Sequence, residues 1–133
     1  MSERFADLHL HTNFSDGTYS PEDLVVKALD NGLNCISLTD HDTVEGLERT
    51  ISYGDKKGIE VIPGIEVSAQ FDSVEVHILG YFIDYKSDFF LERLKELKLI
   101  RVERIYRIAE KLNNLGLNIS AKDILSLAEG STV

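Results

Sequence analysis

The first two-thirds of the sequence switches repeatedly between two periods, and that switching restricts the fold more than any single residue does. Residues 5–12 alternate: Ala6, Leu8 and Leu10 share one face, and Phe5, Asp7, His9 and His11 the other. A loop, NFSDG, leads to Ser20-Pro21-Glu22-Asp23, which reads as a helix start with a serine cap, proline at the first helical position and acids in the first turn. Leu24, Val25, Ala28 and Leu29 give this helix its apolar face, and Asn31-Gly32 ends it. A second strand, NCISLTD, sets Ile36 and Leu38 against Cys35, Ser37, Thr39 and His41. A second helix is expected over residues 44–57, closed by Gly58. A third extended run, IEVIPGIEVSA, sets Val61, Ile65 and Val67 against Glu60, Ile62, Gly64, Glu66 and Ser68. A fourth, VEVHILGYF, sets Val74, Val76 and Ile78 against Glu75 and His77.

Strand, helix, strand, helix, strand predicts consecutive βαβ units on a parallel sheet, and so the α/β class. In each strand one face is aliphatic, suited to packing on helices. The other carries histidines and carboxylates, suited to a polar interior such as a barrel mouth. The last third differs. Leu91, Leu94, Leu97, Ile105, Ile108, Leu112 and Leu115 form one apolar stripe on a helix expected over 88–115, with Ser87 as cap and Gly116 as stop. Ser120 caps a further short helix, expected to run to about residue 129. The chain therefore divides into a βαβ region, 1–86, and a helical insertion or lid, 87–133.

Composition narrows the partners. The 133 residues suffice for one domain with a core, and the formal net charge is -9. That balance argues against a duplex-DNA surface built on bulk positive charge, but not against phosphorylated substrates, because bound divalent metals reverse the local sign. A single cysteine, Cys35, rules out an internal disulfide and suits the reducing cytoplasm. The first residues lack the apolar run of a signal peptide, and no stretch has the length of a membrane span.

The histidines carry the chemistry. His-x-His on a strand sets two imidazoles on one face, roughly 7 Å apart at Cα, where both can bend toward one metal. Asp16 lies in the loop beyond that strand, and His41 at the end of the second. Glu66 and His77 lie on the polar faces of the next two. The ends of neighbouring parallel strands lie side by side, where α/β proteins keep their sites. His9, His11, Asp16, His41, Glu66 and His77 thus converge by topology as candidate metal ligands. Asp7, Asp40 and Asp42 are candidates to orient ligating histidines, or serve as turn and cap residues. Arg101 and Arg104, three apart on the long helix, share a face from which they can reach a substrate phosphate; a solvated face beside Glu103 and Arg107 is the alternative. Tyr19, Tyr81, Tyr85 and Tyr106 suit ring packing or stacking on a base.

The segments DLHLHT, SDGTYSP, LTDHDT, PGIEVS and VHILGY, in that order, resemble the PHP (polymerase and histidinol phosphatase) family of metal-dependent phosphoesterases. RVERIYRIAEKLNNLGLNIS is similar to the bacterial branch that acts on nucleotide and short RNA phosphates. The resemblance implies the N-terminal part of a distorted (β/α)7 barrel with up to three divalent metals, zinc, manganese or iron, in its mouth. His9 and His11 would bind the first, Glu66 would bridge it to the second, His77 would bind the second, and Asp16 and His41 the third. The implied reaction is hydrolysis of phosphomonoesters by a metal-activated hydroxide, on nucleotides or RNA ends. Family members continue beyond this length with Gly-Arg-Pro-His and Asp-x-His motifs. Four strands do not close a barrel, and three metals need more than six side chains. The expectation is therefore an N-terminal half, weak or inactive alone, with an open sheet edge able to pair with a second copy. The alternatives are a non-catalytic metal-binding module, or a histidinol-phosphate phosphatase or polymerase-attached domain; the helical insertion argues against the last pair.

Overall fold

The computed structural model describes residues 3–128. Strand β1 (Ala6–Leu10) is followed by α1 (Pro21–Asp30), β2 (Cys35–Leu38), α2 (Leu47–Lys57), β3 (Glu60–Phe71), β4 (Val74–Tyr81), α3 (Asp88–Asn114) and α4 (Ala121–Leu127). The strands form one open sheet in the order β1-β2-β3-β4. β1, β2 and β3 are parallel, as the βαβ reading requires. β4 runs antiparallel to β3. Asp72 and Ser73, both at positive φ, make the two-residue turn whose twist suits such a hairpin. The sequence marks β4 as extended, and the turn at Asp72 and Ser73 sets its direction.

The local signals at α1 act as expected. The Ser20 hydroxyl accepts from the Asp23 amide, and Pro21 opens the helix. At α2 the reading began three residues early. Val44 is buried, but residues 45 and 46 form a turn and Gly46 precedes the helix. Gly58, at φ 77, closes it in the left-handed conformation that glycine adopts without a Cβ clash. Ser87 precedes α3 without making a side-chain cap. The expected end of α4 near residue 129 lies outside the described residues.

One face of the sheet carries the core. Leu24, Leu38, Val44, Leu47, Ile65 and Leu94 form one buried cluster, joining α1, β2, α2, β3 and the start of α3. Val25, Ala28, Ile36 and Ile59 form a second beneath α1. Each fully buried aliphatic side chain contributes about 1.5–3 kcal/mol. Arg49 grips Glu22 with two hydrogen bonds, of 3.0 and 2.7 Å, and so ties α2 to α1. The apolar stripe of α3 is only partly used. Leu91, Leu94 and Leu97 meet the core, whereas Ile108 and Leu115 are exposed.

Strand β1 corrects one expectation. Ala6 and Asp7 pair with Cys35 and Ile36, but Leu10 pairs with Leu38, so the register slips by one residue between Asp7 and Leu10. Such a bulge re-aims the residues after it. Leu10 packs with the core clusters, and His9 and His11 turn to the opposite face. Asp7 no longer shares their face as strict alternation predicts. It sits in the register of Ile36, where its carboxylate accepts a hydrogen bond from the His9 main-chain N–H.

Candidate metal centre

The four histidines form a chain of rings. Centroids lie 5.0 Å apart for His9 and His11, 4.8 Å for His11 and His41, and 4.8 Å for His41 and His77. Glu66 is buried at their centre. Its Oε2 lies 2.7 Å from His9 Nε2, 3.2 Å from His11 Nε2 and 3.7 Å from His41 Nε2. Its Oε1 lies 3.0 Å from His77 Nδ1. Asp16, exposed in its loop, lies 3.2 Å from His11 Nδ1 and 3.7 Å from His41 Nε2. All six residues named from the sequence therefore meet. Three groups of three have donor atoms within 4.8 Å of one another: His9, His11 and Glu66; His11, Asp16 and His41; and His41, Glu66 and His77.

The fold explains the convergence. The β1 bulge aims His9 and His11 inward. His41 pairs with Glu66 in an isolated parallel bridge, and Ser68 pairs with His77 across the hairpin. Gly64 lets β3 lie close to β2, since a Cβ there would fall 2.4 Å from Ser37 Oγ. The Asp16 loop is held by Asp40, a buried carboxylate accepting from the Thr12 amide (2.7 Å), the Thr12 hydroxyl (2.6 Å) and the Ser15 hydroxyl (2.7 Å). Ser15 Oγ lies 3.4 Å from His11 Nδ1, so Asp40 reaches an imidazole through one intervening hydroxyl. Asp42 faces away from the rings. It accepts from the Ser68 amide at 2.9 Å and from Arg101 at 2.5 Å.

Protonation suits metal ligation. Burial pushes the His11 pKa down and outweighs the opposing pull of Asp16, which favours neutral imidazole near pH 7. Burial pushes the Glu66 carboxyl up, but the His9 hydrogen bond and the surrounding imidazoles outweigh it, leaving Glu66 below its usual range and ionised. Both nitrogens of His11 face carboxylates, yet a neutral ring has one proton to offer. One of those pairs then sets lone pair against lone pair, an arrangement that a cation relieves. A neutral His11, an ionised Glu66 and this proton deficit fit divalent metals.

Other residues fall out differently. Arg101 lies on the cleft wall, where its guanidinium also donates to Ser68 Oγ at 2.6 Å, and so is not on a solvated face. Arg104 is mostly exposed, 3.9 Å from Glu75. Together with Asp42, Ser68, Gln70 and Glu75 they line a cleft of about 440 Å³ beside the candidate ligand groups. Tyr85 donates to Glu48 and packs its ring on the core, while Tyr19, Tyr81 and Tyr106 are exposed. Burial raises the Cys35 thiol pKa, away from reactivity. The sequence reading assigned no role to Thr12, Ser15 or Ser68. Hydroxyls within the ligand motifs DLHLHT, SDGTYSP and PGIEVS were the available signal.

The PHP domain model matches residues 7–122. A 5'-3' exoribonuclease of Haemophilus influenzae is 34% identical over 98% of this chain and 47% of its own length. A 3',5'-nucleoside bisphosphate phosphatase of Chromobacterium violaceum is 32% identical over 84% of the chain and 39% of its own. Among solved structures, one from Bifidobacterium adolescentis, assigned as a metal-dependent phosphoesterase, superposes with a TM-score of 0.85 at 29% identity, over 99% of this chain and 47% of that one. The chain spans about half the length of the curated relatives it matches. Its sheet is accordingly that of a partial (β/α) barrel. With the family's pattern running through most of its residues, and with its histidines and carboxylates gathered at one end of that sheet, the chain belongs to the PHP-domain family.

Proposed function

We propose that this chain supplies the metal-binding wall of a phosphoesterase that hydrolyses phosphomonoesters on nucleotides or RNA ends. The observation that carries the reading is the three overlapping ligand groups gathered around buried Glu66. The relatives described as an exoribonuclease and a nucleoside bisphosphate phosphatase favour a nucleotide-like substrate. His9, His11 and Glu66 would hold one metal, and His41, Glu66 and His77 another, with Glu66 bridging. Asp16 would compete for His41 or serve a third metal alongside further donors, because one imidazole ordinarily serves one metal. Zinc, manganese and iron all suit this donor set.

Divalent metals held there supply Lewis acidity toward phosphoryl oxygens and lower the pKa of water. The chain's own residues orient and exclude. Asp40, through Thr12 and Ser15, holds the Asp16 loop. Arg104, on the cleft rim, offers its guanidinium to a substrate phosphate. Helix α3, whose Leu97, Ile100, Arg101 and Arg104 line the cleft, acts as a lid over it.

Metal analysis of the purified protein, with phosphate release from nucleoside bisphosphates and 5'-phosphorylated short RNA, tests the proposal. Zinc, manganese or iron should be retained, and Glu66→Gln should weaken metal binding by roughly a hundredfold or more, given that even outer partners of a ligand are worth 10–100-fold. A protein that binds none of the three and releases no phosphate overturns it. A protein that binds metal with no turnover leaves the non-catalytic metal-binding module, to which the exposed flank at Asp16 also points.

A further inference from the structure

Asp42 follows His41 with φ 49, a left-handed conformation unusual for a residue with a side chain. It is buried, and grips β3 just after Glu66. Its amide donates to the Glu66 carbonyl at 2.9 Å, and its Oδ1 accepts from the Ser68 amide at 2.9 Å. The Glu66 amide in turn donates to the Asp40 carbonyl. Residues 40–42 and 66–68 are thereby laced together with His41 and Glu66 inside the lacing. The remaining Asp42 oxygen, Oδ2, accepts from Arg101 Nη2, which reaches Ser68 Oγ as well. Arg101 belongs to α3, whose apolar contacts with the core are made by Phe90, Leu91, Leu94 and Leu97. Beyond Leu97 the helix exposes Leu99 and Ile100, and Arg101 is the next side chain that binds it to the sheet.

We propose that Arg101 is a positioning residue, a clamp that couples the seating of helix α3 to the order of the two strand ends that present His41 and Glu66. The inference rests on the metal-centre reading for its consequence and on the hydrogen-bond lacing for its mechanism. A buried carboxylate that loses its cation is left uncompensated, so Asp42 is expected to turn toward solvent and release its hold on Ser68. Coupling of this kind is reciprocal: if docked α3 favours metal binding, bound metal favours docked α3.

The test uses the whole chain as wild type, Arg101→Met and Arg101→Lys. Met keeps the packed stem without the charge; Lys keeps the charge without the fork that spans Asp42 and Ser68. Amide exchange is followed without metal and with zinc or manganese, alongside calorimetric metal binding. In Arg101→Met the amides of Asp42, Ser68 and the middle of α3 should exchange at least about tenfold faster, while those of Ile36 and Val61 stay unchanged. Metal affinity should fall about tenfold. Zinc should protect α3 in wild type but not in Arg101→Met, with Arg101→Lys intermediate. A purely structural ion pair would lower stability without making α3 protection depend on metal. Unchanged exchange at Asp42 and Ser68 overturns the clamp, and so does α3 protection that ignores metal in a wild-type protein that binds it. If wild type binds no metal, the metal-centre reading fails, and the metal-free exchange comparison alone judges the clamp.

Discussion

Strands β1 to β3 and helix α3 meet the same aliphatic core but are held by different means. The strand ends that carry the candidate ligands are fixed by main-chain pairing, by the buried Asp40 and Asp42 carboxylates, and by aliphatic side chains behind them. Helix α3 rests on a few leucines near its start and on the Arg101 contact. Much of the rest of its length exposes apolar side chains. Regions with few buried contacts open at lower free energy than the core. A ligand constellation needs the first kind of support, and a segment that seats and unseats needs the second.

Core truncations break the comparison most directly. Leu38→Ala, beneath the ligand wall, should lower the unfolding free energy by about 3 kcal/mol, within the range for buried leucines. Urea denaturation measures this, and a loss below about 1 kcal/mol would mean that the wall does not depend on that core. Leu94→Ala should cost less, about 2 kcal/mol, because α3 can readjust over a partly solvated surface. Its signature is local, with faster amide exchange in α3 and little change in β2. Uniform acceleration across both would show that helix and wall unfold as one unit.

The smallest effect concerns the exposed tie between α1 and α2. Arg49 holds the Glu22 carboxyl below its ordinary pKa through their hydrogen bonds. The folded-state value is depressed, so this stabilisation is complete above the unfolded value and lost as pH falls through the folded one. Arg49→Met should remove at most about 0.5 kcal/mol near neutrality and nothing once Glu22 is protonated in both states. Stability curves for the two proteins should converge in acid. A constant offset at all pH values would assign the effect to the Arg49 guanidinium over the Phe14 ring instead.

Much of the ligand set was legible because strand alternation and strand order are local properties. His-x-His, the carboxylate in PGIEVS and the histidine ending the second strand fall on polar faces by period alone. The β1 bulge was not legible, because register depends on the pairing partner, here Leu10 with Leu38. The direction of β4 was hidden in two positive-φ residues that are not glycine. The sequence places Arg101 on the correct helix, with a substrate phosphate or a solvated face as its surroundings, but its partner Asp42 is fifty-nine residues away. No periodicity spans that distance.

The sequence by itself determined the α/β class, three of the four helix starts to within a residue and the six residues that meet at the site, since capping, alternation and side-chain chemistry act over short range. Only the tertiary structure decided which ligands share a group, which carboxylates touch an imidazole and which hold main chain, and what anchors α3. Those follow from a register slip, a hairpin and a buried ion pair, each of which exists only once distant segments have come together.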